Sequence, residues 1–129
     1  MHVISDATGS PIEELGGLAS FREGPPHAFH ERMGGHYPGS RVGTIVAACT
    51  TFDDVLSGVS YLDLLQIDVE GYDVELLMLF DFARIKPSIV RFEHRNVPAT
   101  EVDAATLLLA GHGYLMVREE YDVTAYLVS

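Results

Sequence analysis

Residues 62–68 read Leu-Asp-Leu-Leu-Gln-Ile-Asp, and the chain then passes through Val69 and Glu70 to Gly71 before a helical pattern begins. A nearly continuous apolar run of this length reads as a central parallel strand with helices on both faces. The carboxyl edge of such a sheet is where ligands bind, because side chains there project into a crevice beyond the hydrogen-bonded ladder. Asp68 and Glu70 stand at that edge.

The rest of the chain fits around this strand. Short strands are expected over residues 2–5 and 18–21, separated by the turn-forming Asp6, Gly9 and Pro11. Between them and the next strand, residues 22–41 carry Gly24, Pro25, Pro26, Gly34, Gly35, Pro38 and Gly39, which predicts a long loop without helix or paired strand. Residues 42–49 are β-branched and small, hence a strand. Thr50 or Thr51 then caps a short helix through Leu56, with Asp54 completing a capping box. Residues 72–80 have a broad helical apolar face, and residues 88–93 read as the next strand. Thr100 with Asp103 marks a helix start, residues 102–110 fill the helix, and Gly111 ends it. Residues 114–117 and 123–128 pair as a hairpin. The expected class is α/β, one domain over 1–129, with an irregular β-rich region over 1–57 and an α/β core over 58–129.

Charge and composition narrow the partners. Nineteen Asp and Glu against eight Lys and Arg give a formal charge of -11, which repels nucleic-acid phosphates and anionic lipid surfaces. With 47% apolar residues the chain is rich enough for one packed core. Cys49, beside Ala47 and Ala48, is the single cysteine and reads as a small core residue; no intrachain disulfide is available. No apolar stretch approaches the roughly 18 residues of a membrane span, so a cytoplasmic, membrane-free setting is expected. His27, His30 and His36 fall in the expected loop and read as solvated side chains.

Two segments carry a family likeness: Leu64-Leu65-Gln66-Ile67-Asp68-Val69-Glu70-Gly71-Tyr72-Asp73, and Lys86-Pro87-Ser88-Ile89-Val90-Arg91-Phe92-Glu93-His94. Together they resemble the FkbM family of S-adenosylmethionine-dependent methyltransferases. The segments Ile4-Ser5-Asp6-Ala7-Thr8-Gly9 and Thr50-Thr51-Phe52-Asp53-Asp54-Val55-Leu56, and the Gly113-Tyr114 hairpin start, are similar to that family as well. The resemblance implies a partial Rossmann-like methyltransferase sheet, mostly parallel, with a C-terminal antiparallel hairpin whose final strand lies between its neighbours. It implies methyl transfer from S-adenosylmethionine to a hydroxyl oxygen of a small-molecule acceptor or sugar. Asp68, Glu70, Glu93 and His94 then become the catalytic candidates, and Ser5 and Asp6 the remnants of a cofactor-binding wall.

The departures from the family pattern are informative. The strand with a glycine-rich turn that approaches the cofactor, and the second strand whose acid binds the ribose, have no counterpart here. Gly16-Gly17 and the Pro-interrupted 34–39 segment do not replace them. Gln66 stands where the family often has lysine. The expectation is a methyltransferase domain lacking its cofactor half and inactive alone, with strand 62–68 left unpaired on one edge. Such an edge invites a second copy or a completing chain. A non-catalytic interaction module is the alternative, and a metal-dependent enzyme using Asp68, Glu70, Glu93 and His94 as ligands is a further one. Structural roles also account for these residues. Asp68 and Glu70 suit a helix N-terminus, and Glu93 and His94 could pair with Arg91 or Arg95.

Overall fold

A computed structural model describes residues 2–5, 19–20, 24–33 and 39–128, with side chains over 26–31 and 39–128. The first elements are β1 (His2–Ser5), β2 (Ala19–Ser20), α1 (Gly24–Met33) and β3 (Arg41–Thr44). The three strands form an antiparallel sheet in the order β2-β1-β3. Two sequence expectations change here. Residues 24–33 are helical, because Pro25 and Pro26 fall in the first turn, where the missing N–H costs no intrahelical bond. The strand expected over 42–49 stops at Thr44, since its partner β1 ends in register there, with His2 opposite Thr44. The following residues lie outside any strand, and Cys49 is exposed, not a core residue.

The second group comprises α2 (Phe52–Val55), β4 (Leu64–Ile67), α3 (Asp73–Met78), β5 (Ile89–Glu93), α4 (Ala99–Gly111), β6 (Tyr114–Arg118) and β7 (Asp122–Leu127). Thr51 caps α2: its hydroxyl accepts from the Asp54 N–H at 3.1 Å and donates to the Asp54 carboxylate at 2.8 Å. The expected cap at Thr100 is absent. α4 begins after Pro98 with no side-chain cap, and Gly111 is its last residue. The turn into β6 instead uses Gly113, whose φ of 93° suits a residue lacking Cβ.

The four strands line up as β4-β5-β7-β6, with β4 and β5 parallel and the other pairs antiparallel. The class is α/β as expected, and β7 lies between β5 and β6 as expected. The sheet is mixed, not mostly parallel, because β7 returns beside β5 and makes both of its own pairings antiparallel. β4 is at the edge. Its side chains alternate between exposed and buried, so it is not the doubly covered central strand that its apolar run suggested.

One face of this sheet carries Leu65, Ile67, Val90, Phe92, Val123, Ala125 and Tyr114 against Val74 and Leu77 of α3 and Val102, Ala105 and Leu109 of α4. Phe82, from the α3–β5 connection, packs edge-on to Tyr114, and the buried Tyr114 hydroxyl donates to the Pro87 carbonyl at 2.7 Å. Among the described residues the other face is largely exposed, Thr124 excepted, and it is graded along the strands. The register places Leu64, Ile89, Tyr126 and Leu115 in one row, then Gln66, Arg91, Thr124 and Val117, then Glu93 and Asp122. Apolar side chains lie at one end of this face and carboxylates at the other.

Candidate functional site

The carboxylates gather where the ladder stops. The last β4–β5 register pair is Ile67 with Phe92, so Asp68 and Glu93 each lie one residue past it. From Asp68 the chain enters a tight turn in which Glu70 has φ 54° and Gly71 φ 94°. Left-handed backbone at a residue with a Cβ costs about 1–2 kcal/mol. Its persistence at Glu70 means that surrounding contacts hold the turn.

Asp73 supplies those contacts. It has no exposed surface. One carboxylate oxygen accepts from the Gly71 N–H at 3.0 Å, and the other accepts from the Glu93 N–H at 3.2 Å. Burial raises its proton affinity, while bonds from the N–H groups of Gly71, Glu93 and Val69 oppose that rise.

Glu70 and Glu93 flank this clamp, near enough for the charge of Glu70 to act on Glu93. Glu70 accepts a hydrogen bond from the Asn96 amide at 3.2 Å. Burial raises its carboxyl first, then the charges of Asp68 and Asp73, with Arg95 and Asn96 pulling the other way. Burial also leads at Glu93, with Glu70, Asp68 and Asp73 adding to it against Arg95, and the carboxyl is pushed up to about 7. The Glu93 Oε2 atom is enclosed and has no hydrogen-bond partner among the described residues. A carboxyl in this state exchanges a proton near neutral pH and has an oxygen free to receive one.

His94 does not join the group. Its backbone N–H donates to the Tyr121 carbonyl at 2.7 Å, and its Nε2 lies 3.1 Å from the Glu119 carbonyl, which ties it to the β6–β7 turn. A carbonyl is only an acceptor, so the ring proton belongs on Nε2. Arg91, a suggested partner for Glu93, instead bonds Asp122 at 2.7 Å, with Glu119 at 3.7 Å. Arg95 stacks on Tyr121 at 4.8 Å. Three of the four catalytic candidates therefore converge, and the fourth serves the hairpin. Of the cofactor candidates, Ser5 is described only as backbone in β1, opposite Arg41, and Asp6 lies outside the described residues.

Among the described residues, no group of three or more His, Cys, Asp or Glu side chains is placed to hold a metal ion. His94, the expected nitrogen ligand, is turned away from the acids and bonds the Glu119 carbonyl. His30 bonds the Ser40 carbonyl at 2.8 Å, and His36 lies outside the described residues. A cavity of about 490 Å³ lies between α2 and the far end of α3, lined by Phe52, Val55, Leu79, Phe80 and Arg84, and none of the strand-end acids borders it. No described helix is long and apolar enough to cross a membrane.

Asp73 is the residue that sequence reasoning missed. Its signal was present, since an acid two residues after the glycine can bond back to the turn, but an acid in the first turn of a helix equally reads as a solvated dipole partner. Only packing distinguishes the two.

Among curated proteins and solved structures, none matches this chain. The methyltransferase FkbM domain matches residues 5–116 and so includes the β4–α3 turn, the whole of β5 and the carboxylates between them. A family of this kind uses an S-adenosylmethionine-type methyl donor. The strand-end acids and the strands β4 and β5 that present them thus lie within a recognised domain, and the chain belongs to the FkbM methyltransferase family.

Proposed function

We propose that the chain is an S-adenosylmethionine-dependent O-methyltransferase domain, acting on a hydroxyl of a small molecule or sugar, with Glu93 as the proton acceptor. The observation that carries this reading is the state of Glu93: an enclosed, unbonded oxygen on a carboxyl that titrates at about 7, beside Glu70 at the sheet's carboxyl edge. Its ionised form is abundant at neutral pH, yet it holds a proton far more strongly than an ordinary carboxylate.

The methyl donor carries positive charge on its sulfonium and ammonium groups, which suits a rim of carboxylates. On the adenine side, Ser5 and Asp6 are the proposed contacts. When bound, the cofactor supplies a methyl group on a sulfonium sulfur. Glu93 would take the acceptor's hydroxyl proton as the oxygen–carbon bond forms and the methyl carbon–sulfur bond breaks, its electron pair staying on sulfur as a neutral thioether, so the acceptor oxygen would not build up positive charge. Glu70, fixed by Asn96, orients the same hydroxyl, and exposed Asp68 adds the negative potential that keeps Glu93 basic. Positioning of acceptor oxygen against methyl carbon supplies most of the acceleration. The single cysteine and acidic charge fit a cytoplasmic setting.

A second reading is a non-catalytic interaction module. It is favoured by the open face of the sheet, where Leu64, Tyr126, Val117 and Leu115 are 46%, 47%, 54% and 66% exposed. The free edge of β4 would then take a second copy or a completing chain. Titration calorimetry separates the readings. Heat of binding on adding S-adenosylmethionine supports methyl transfer; no heat at millimolar donor overturns it and favours the module.

A further inference from the structure

We propose that Asp73 is the positioning residue of this site: a buried clamp that joins the Glu70–Gly71 turn to the end of β5 and so holds Glu70 and Glu93 close together. The inference rests on the methyl-transfer reading for its purpose, and on hydrogen-bond geometry for its substance.

Register pairing between β4 and β5 ends at Ile67 and Phe92. One residue further along β5, the Glu93 N–H bonds the Asp73 carboxylate instead of a strand carbonyl, at 3.2 Å. The other oxygen of the same carboxylate takes the Gly71 N–H at 3.0 Å. A side chain thus extends the strand pairing past its last backbone bond, and it does so where extension is opposed. Asp68 and Glu70 on the turn, and Glu93 on β5, carry like charges that push the two segments apart, with Arg95 the cation facing them. Asp73 itself adds a negative charge, so its contribution is geometric: it trades further repulsion for directed bonds from backbone donors, those of Gly71 and Glu93 joining the turn to β5.

Glu70 depends on the same clamp. Its left-handed backbone, φ 54°, immediately precedes the N–H that Asp73 captures. Released from that bond, the turn relaxes to an unstrained conformation, and the Glu70 side chain leaves its place near Glu93.

The experiment uses NMR on the full chain. In the unmodified protein, the amide protons of Gly71 and Glu93 are expected to shift with pH along the titration curve of the Asp73 carboxyl carbon. Amides that ignore that curve overturn the clamp, and this arm needs no variant. In Asp73→Asn, one oxygen becomes an N–H₂ group that cannot accept, so one of the two amides loses its partner and exchanges with solvent about tenfold faster. The Glu93 carboxyl moves from about 7 down toward 4.5. Asp68→Asn is the control for charge alone: it lowers Glu93 as well, yet leaves both amides protected. Equal amide exchange in Asp73→Asn and the unmodified chain, or equal loss of protection in both variants, refutes the proposal. No methyl donor enters these measurements, so a failed clamp shows here and a failed methyl-transfer reading shows in the calorimetry.

Discussion

Replacing Glu93 by glutamine keeps the side chain's shape and removes its charge, which isolates what ionisation at this position does to the fold. Burial, aided by Glu70, Asp68 and Asp73, moves the carboxyl from 4.5 to about 7. The folded chain therefore keeps this proton until about pH 7, whereas the unfolded chain releases it near 4.5. Between those values the folded state binds more protons, so stability from this group is full below 4.5, declines as pH rises, and is lost above about 7. Taken at 1.36 kcal/mol per unit, the rise sets an upper bound of about 3.4 kcal/mol. Glu93 keeps contact with solvent, and screening reduces this to roughly 1–2 kcal/mol. Urea unfolding of the two proteins should show Glu93→Gln more stable by that amount at about pH 8, with the gap closing at about pH 4. A gap that is the same at both pH values, or a variant less stable at the higher one, would refute the reasoning.

Two further outcomes test the sheet. Phe92 has no exposed surface and packs under the site, so Phe92→Ala should cost about 3–5 kcal/mol in denaturant unfolding; a loss below about 1 kcal/mol would mean that the core is not built as described. The uncharged free edge of β4 should draw two chains together at micromolar concentration, more strongly as salt screens the charge of -11. Light scattering that finds a monomer at both low and high salt would dismiss this.

The elements legible in the sequence were those whose cause is local. Thr51 and Asp54 cap α2 as their spacing indicates, and the apolar run before Asp68 does form a strand that presents its acids at a sheet end. What was not legible depended on neighbours. The same run looks identical whether a strand is central or at an edge, and only the strand order reveals that Leu64 and Gln66 face outward. Pro25 and Pro26 read as breakers because their place within a helix, first turn or interior, decides their effect. At the site, Glu70 and Glu93 come from segments that sequence can only set side by side, and their shared electrostatics follow from the approach of β4 to β5. Adjacency to Glu93 groups His94 with them in the sequence, but alternation past β5 and the Glu119 carbonyl send its ring elsewhere.

The strand order also governs how the chain must assemble. β7 is synthesised after β6 yet lies inside it, between β6 and β5. β6 and β7 are joined by a short turn and can zip together within microseconds, while β5 must wait through the whole of α4 and that hairpin before its second neighbour exists. Both neighbours of β5 come from afar, since Ile67 pairs with Phe92 and Asp122 with Glu93, so each pairing closes a loop of about 25–30 residues at an entropic cost that the hairpin does not face. The carboxylates come from the end of β4, the turn after it and β5, so bringing them together costs that non-local closure and gains nothing from the hairpin's quick local pairing.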